Sequence, residues 1–193
     1  MRIMTWDIDS GGREKIEAII NSIEKEDCEI LVITGFRVNH NKENFFNELR
    51  GIGYKYFVYN RQENKYKDTV LIVSRDRLNI IKYNSRFKES FLIVEKDDVY
   101  IAGMNFTNNK TQKELVEVFN RELSQYKNKH LIVAGNMQTA QNYAMPNSLN
   151  KQLCKKYLNF DQMGFNNCIV ECGYAKDTYS WKDRKSTRLS SSH

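Results

Sequence analysis

Arg2-Ile3-Met4-Thr5-Trp6-Asp7-Ile8-Asp9-Ser10-Gly11-Gly12 is the stretch that decides how this chain folds. Apolar residues lead into two carboxylates, Asp7 and Asp9, one residue apart, and then into a serine and two glycines. In α/β proteins chemistry gathers at the carboxyl ends of strands, where loops are free to carry it. Two later stretches end in the same manner, Ile30-Leu31-Val32-Ile33-Thr34-Gly35 and His130-Leu131-Ile132-Val133-Ala134-Gly135-Asn136. If the three are neighbours in one sheet, their ends share one cleft.

Outward from the first strand, Ile16, Ile19, Ile20 and Ile23 fall at i, i+3, i+4 and i+7, one apolar stripe on a helix within 13–26. Ser10 or Gly11 is the expected start of that helix. The run 29–34 is continuously apolar, which predicts a strand covered on both faces. A short helix over 43–50 carries Phe45, Phe46 and Leu49 and stops at Gly51 and Gly53. Residues 54–106 then read as strands at short intervals: 54–60, 69–75, 78–83, 91–95 and 99–106, with Lys96-Asp97-Asp98 as a turn. Such spacing favours antiparallel pairing. Leu115, Val118, Phe119 and Leu123 mark a helix over 111–126, which feeds the strand 130–135. Beyond Asn136 the pattern predicts a polar loop, a helix over 151–158, and weak strands at 168–171 and 178–181. This order suits a layered α/β sandwich of mixed sheets with outer helices.

The chain has 193 residues, 40% hydrophobic and 28% charged, and reads as one globular domain over 1–183. No apolar run reaches the roughly 18 residues that span a bilayer. Met1-Arg2 leads straight into a strand, which predicts no signal peptide and a cytoplasmic protein. Cys28, Cys154, Cys168 and Cys172 form no CxxC pair and have no nearby histidine, so they read as reduced thiols. The net charge is +6, but Arg184, Lys185 and Arg188 lie in a tail without acidic residues. Without those three the body has 27 basic against 24 acidic residues, about +3. That charge permits a polyanionic partner and equally describes a solvated lysine-rich surface.

The motifs, taken in order, resemble the endonuclease/exonuclease/phosphatase superfamily. Met4-Thr5-Trp6-Asp7-Ile8-Asp9 is similar to the family's first strand, Trp-Asn-x-Asp. Leu31-Val32-Ile33-Thr34-Gly35-Phe36-Arg37 falls where the family has a strand ending in a metal-binding Glu. Ala102-Gly103-Met104-Asn105-Phe106 resembles a strand that ends in His-Leu. Val133-Ala134-Gly135-Asn136-Met137-Gln138-Thr139 resembles the Gly-Asp-x-Asn signature, and Asp177-Thr178-Tyr179-Ser180-Trp181 a late Thr-x-Trp strand. The resemblance implies a DNase I-like four-layer α/β sandwich of two mixed β-sheets, here lacking its last strands. It also implies a hydrolase of phosphodiesters that uses Mg²⁺ or Mn²⁺, acting as a monomer on DNA, RNA or a small phosphoester. In such an enzyme a metal-bound phosphate is attacked by a water that a carboxylate orients or deprotonates.

Against that pattern the chain departs where the chemistry lies. Asp7 stands at the family's Asn, Gly35 at the metal-binding Glu, Asn136 at the catalytic Asp, and Gln138 at the Asn of the signature. Asp9 alone keeps the family residue among the polar positions matched. The resemblance therefore nominates Asp9, Asp7, Asn136, Gln138 and Asn105 as the catalytic set, with Arg37 and Trp181 facing substrate. Asp7 and Asp9 remain as a weak metal pair. Plainer roles stand beside these: Asp7 and Asp9 as caps of the following helix, Arg37 in a surface ion pair, Trp181 in the core. Three functions follow: a weakly active metal-dependent nuclease or phosphodiesterase, an inactive scaffold that binds nucleic acid or a phosphorylated ligand, and a phosphatase with Asp7 as nucleophile. The last rests on the Asp-x-Asp spacing, which resembles the haloacid dehalogenase type. Residues 184–193 read as an appended tail; in the other reading Arg188-Leu189 aligns with the family's Arg-x-Asp strand and His193 with its terminal His, with Ser190 in place of Asp.

Overall fold

The structure, a computed structural model, describes residues 1–8, 15–39, 41–60, 67–83, 90–106, 112–136, 163–166 and 168–171. Strand β1 (Ile3–Asp7), helix α1 (Ile16–Glu26) and strand β2 (Ile30–Arg37) come first, followed by helix α2 (Lys42–Gly51). Strands β3 (Tyr56–Tyr59), β4 (Asp68–Ser74), β5 (Asn79–Tyr83), β6 (Phe91–Lys96) and β7 (Val99–Asn105) follow, then helix α3 (Gln112–Ser124) and strand β8 (His130–Asn136). These elements lie in one compact unit, Met1–Thr139; a second unit is Ala140–His193. Of the second, the four residues of α4 (Cys168–Glu171) form one helical turn, where the sequence predicts a strand. Apolar and β-branched residues favour a strand only when a partner strand accepts them, and four residues carry little propensity of their own. The helix expected over 151–158 and the strand over 178–181 lie outside the described residues.

The first unit holds two four-stranded mixed sheets, ordered β1-β2-β4-β3 and β5-β6-β7-β8. Each contains one parallel pair made by a helical crossover, β1-α1-β2 in the first sheet and β7-α3-β8 in the second. The remaining pairs are antiparallel, as the short connections require. The strand ends at Asp7 and Gly35 therefore lie in one sheet and that at Asn136 in the other, so the condition of one shared sheet is not met, while the two mixed sheets are as expected. β1 and β2 belong to one, while β8 pairs with β7 in the other.

Side-chain alternation explains the layers. Ile30 and Val32 of β2, with Val70 and Ile72 of β4, pack against Leu92, Val94, Ile101 and Ala134 of the second sheet. Leu31, Ile33, Leu71 and Val73 point the other way, onto Ile19, Ile20 and Ile23 of α1 and Phe45, Phe46 and Leu49 of α2. On the outer side of the second sheet, Phe119 of α3 meets Phe91 and Phe106 at ring separations of 4.8 and 4.9 Å. The order is thus helix, sheet, sheet, helix. Two-sided burial is why 30–33 and 70–73 read as unbroken apolar runs. Gly103 marks the closest approach of the sheets: a Cβ there would lie 2.6 Å from Val70 Cγ1 and 3.2 Å from Ile72 Cδ1.

Helix α1 begins at Ile16, with Lys15 as its N-cap and no side-chain capping bond. Ser10 and Gly11, the expected start, lie outside the described residues. Asp27 closes it in the left-handed conformation, φ 47°.

Candidate functional site

Strand parity brings the polar residues together. On β1, Ile3 faces the second sheet while Met4 and Trp6 face the helices, so Asp7 faces the second sheet. Thr34 is the register partner of Asp7 and follows Ile30 and Val32 on the same side of β2. On β7, Ile101 and Gly103 face the first sheet, and Asn105 continues that row. Asn105 is the register partner of Asn136 at the end of β8. Asn60, just past β3, reaches across to donate from Nδ2 to the Phe91 carbonyl at 3.1 Å. A polar layer thus closes one end of the otherwise apolar space between the sheets.

Within that layer a second contact crosses from sheet to sheet, this one between two side chains: Asn136 Nδ2 donates to Asp7 Oδ2 at 2.6 Å. Two local features hold it. Ile8 N–H donates to the Thr34 carbonyl at 3.0 Å, extending the β1–β2 ladder past Asp7. Phe106 N–H donates to the Asn136 carbonyl at 2.7 Å, fixing the end of β8 on β7. Gly135 adopts φ +126°, and a Cβ there would collide with the Met104 carbonyl oxygen. The glycine of the resembled signature thus has a physical reason in this chain: the backbone that delivers Asn136 accepts no side chain at 135.

Gly35 has φ +68° and sits in an irregularity of the β2–β4 pairing between Ile33 and Phe36. It offers no side chain to the cleft. Past it, Arg37 Nε pairs with Asp68 Oδ1 at 2.5 Å, both about three-quarters buried, which is the ion pair that the plainer reading expected. Asn105 is 2% exposed, so it lies beneath the site as a packed polar residue. Asp9, Gln138 and Trp181 lie outside the described residues. The sequence pattern did not single out Thr34, whose Oγ1 is buried and finds no hydrogen-bond partner among the described residues, or the bridging Asn60. The available signal was a polar residue ending an apolar row of fixed parity.

A divalent metal, which the resemblance implies, does not fit the described side chains. Among the described residues no three His, Cys, Asp or Glu come together as a metal-holding group. At the strand ends Asp7 supplies a carboxylate, and its Oδ2 already accepts from Asn136. Hard cations take several oxygen ligands at once. Cys28 and Cys168 are free thiols; Cys154 and Cys172 lie outside the described residues. Among the described residues no helix is long and apolar enough to cross a membrane.

Two packed mixed sheets with outer helices make the DNase I-like α/β sandwich fold. Solved structures agree. The chain is similar to a 3'-5' exonuclease (NExo) from Neisseria meningitidis, with a TM-score of 0.76, 16% identity, and coverage of 98% of this chain and 81% of that one. It is similar to an AP endonuclease from Archaeoglobus fulgidus, with a TM-score of 0.72, 12% identity, and coverage of 98% and 82%. A 3' phosphatase NExo from Neisseria, bound to product DNA hairpin, matches with a TM-score of 0.67, 17% identity, and coverage of 82% and 70%. No model of a known family and no curated protein matches the chain.

Proposed function

We propose that this chain binds nucleic acid across the polar strand-end layer, as a nuclease-fold protein whose phosphodiester hydrolysis is weak or absent. The observation that carries the reading is the state of the three strand ends. Asp7 and Asn136 form a fixed polar pair, while the third end, Gly35, has no side chain to hold a cation. Positioned polar groups at strand ends make a binding site, but phosphodiester cleavage also needs the charge developing on phosphate to be neutralised. Among the described residues no three His, Cys, Asp or Glu come together to hold a metal for that task.

Three further observations support nucleic acid as the ligand. The body without the tail's three basic residues keeps a net positive charge of about +3, 27 basic against 24 acidic residues. The fold is shared with an AP endonuclease and with a 3' phosphatase bound to product DNA hairpin. The site lies at the carboxyl ends of strands, a location typical of α/β sites. In this reading Asp7 and Asn136 line the site, and Arg37 supports it through Asp68. Asp9, Gln138 and Trp181, outside the described residues, remain as residues nominated by the motifs. Asp7 and Asp9 are a weak cation pair at most. The body is a cytoplasmic monomer over 1–183. A phosphoaspartate at Asp7 has no observation behind it beyond the Asp-x-Asp spacing.

The test is binding and cleavage of a DNA hairpin, with Mg²⁺ or Mn²⁺, by the native chain and by Gly35→Glu/Asn136→Asp. Binding by both, with cleavage confined to the double variant, supports the reading. Efficient cleavage by the native chain overturns it.

A further inference from the structure

The departures at 7 and 136 look like two independent losses when each is compared with its own motif. The structure shows that the two residues touch. Where the resembled pattern places an amide at the end of the first strand and a carboxylate in the late signature, this chain has the carboxylate on β1 and the amide on β8, 2.6 Å apart. A carboxylate accepts and an amide N–H donates, so the pair closes with either group on either strand. Two carboxylates there repel each other.

We infer that the two departures are one end-for-end exchange, in which the carboxylate of the site has moved to Asp7 and Asn136 is its positioning residue. The inference rests on the proposed function only for the use of the site; the exchange itself is a property of the chain. Three features support it. The pair bridges the two sheets between residues 129 apart in sequence, so nothing local forces the contact. Each partner is anchored by backbone hydrogen bonds beside it, Ile8 to Thr34 and Phe106 to Asn136. Gly135 tolerates no Cβ against Met104, which fixes where β8 delivers its side chain. The amide thereby sets the carboxylate's orientation at the site, and Asp7 is the hydrogen-bond acceptor of the pair. Among the described strand ends the carboxylate thus stands at 7, the amide at 136, and position 35 carries no side chain.

The test is a cycle of Asp7→Asn, Asn136→Asp and the double exchange, melted at pH 7.5. Asp7→Asn is expected to lower Tm in the native chain and to raise it in the Asn136→Asp background, each by about 2–4 °C per broken or relieved contact. An equal effect of Asp7→Asn in both backgrounds overturns the exchange. The positioning role is read from the side-chain amide of Asn136 by NMR. Its hydrogen-bonded proton is expected downfield and slow to exchange in the native chain, and lost in Asp7→Ala. In the double exchange the same signature should appear on the amide introduced at position 7. An unshifted, fast-exchanging amide in the native chain overturns the positioning role. Native-chain binding to a DNA hairpin is measured alongside. Its absence sinks the proposed function, while the melting and NMR outcomes still decide the exchange.

Discussion

Gly135 lies directly against the backbone of Met104, its register partner on β7, with no room between them for a Cβ. The contact couples the packing of the second sheet to the site, because the next residue is Asn136. At φ +126° any L side chain is strained as well as crowded. Gly135→Ala is therefore expected to cost about 1–3 kcal/mol. It should also displace the Asn136 amide from Asp7, seen as loss of that amide's protected NMR signal.

Gly103 makes a different demand. Its conformation is ordinary, but a Cβ would press on Val70 and Ile72 across the sandwich. Gly103→Ala should lower stability by about 1–3 kcal/mol through overpacking. Trimming the opposing side chain with Val70→Ala in the same chain should return part of the loss. Denaturant melts of the two singles and the double measure that coupling.

The backbone at Gly35, φ +68°, is strained for any other residue. Gly35→Glu, the change that would place a carboxylate at the third strand end, is expected to cost about 1–2 kcal/mol of backbone strain. Gly35→Ala should cost a similar amount without adding charge. Comparing their Tm values separates strain from electrostatics.

Tyr54 Oη donates to the Cys28 carbonyl at 2.7 Å, tying the end of α2 to the turn after α1. Burial pushes the Tyr54 phenol and the Cys28 thiol above their ordinary values. A group whose folded pKa is raised stabilises the fold fully below its unfolded pKa and loses that contribution as pH rises through the folded one. Unfolded thiol and phenol titrate near about 8.5 and 10. Tm should hold up to about pH 8 and fall progressively from about pH 9 upward, as these unfolded-state values and the upward shifts require. Tyr54→Phe should cost about 1–3 kcal/mol at neutral pH by leaving the Cys28 carbonyl unpaired, and should soften the alkaline fall.

Much of the fold was legible in the sequence for physical reasons. The stripe Ile16, Ile19, Ile20, Ile23 and the unbroken runs at 30–33 and 70–73 carry periodicities that only a helix and two-sided strands satisfy. The motif order pointed to the sandwich. The strand ends were legible as positions but not as contacts. Whether β8 joins β1 in one sheet depends on long-range pairing, which local pattern does not encode. Asp7 and Asn136 each read as a departure because their meeting requires two sheets to pack. Helix α1 runs from Ile16, with Lys15 at its N-cap and no side-chain capping bond, a cap that no residue type in the sequence announced. Thr34 and Asn60 were missed because their role depends on which face of the strand they share with the apolar row.

Binding without efficient cleavage is tested most directly by titrating a DNA hairpin with the native chain at low salt, then incubating with Mn²⁺ and separating the products. Salt-sensitive binding is expected, with the hairpin recovered intact or cut only in trace. Rapid, complete cleavage, or no binding at all at low salt, would contradict it.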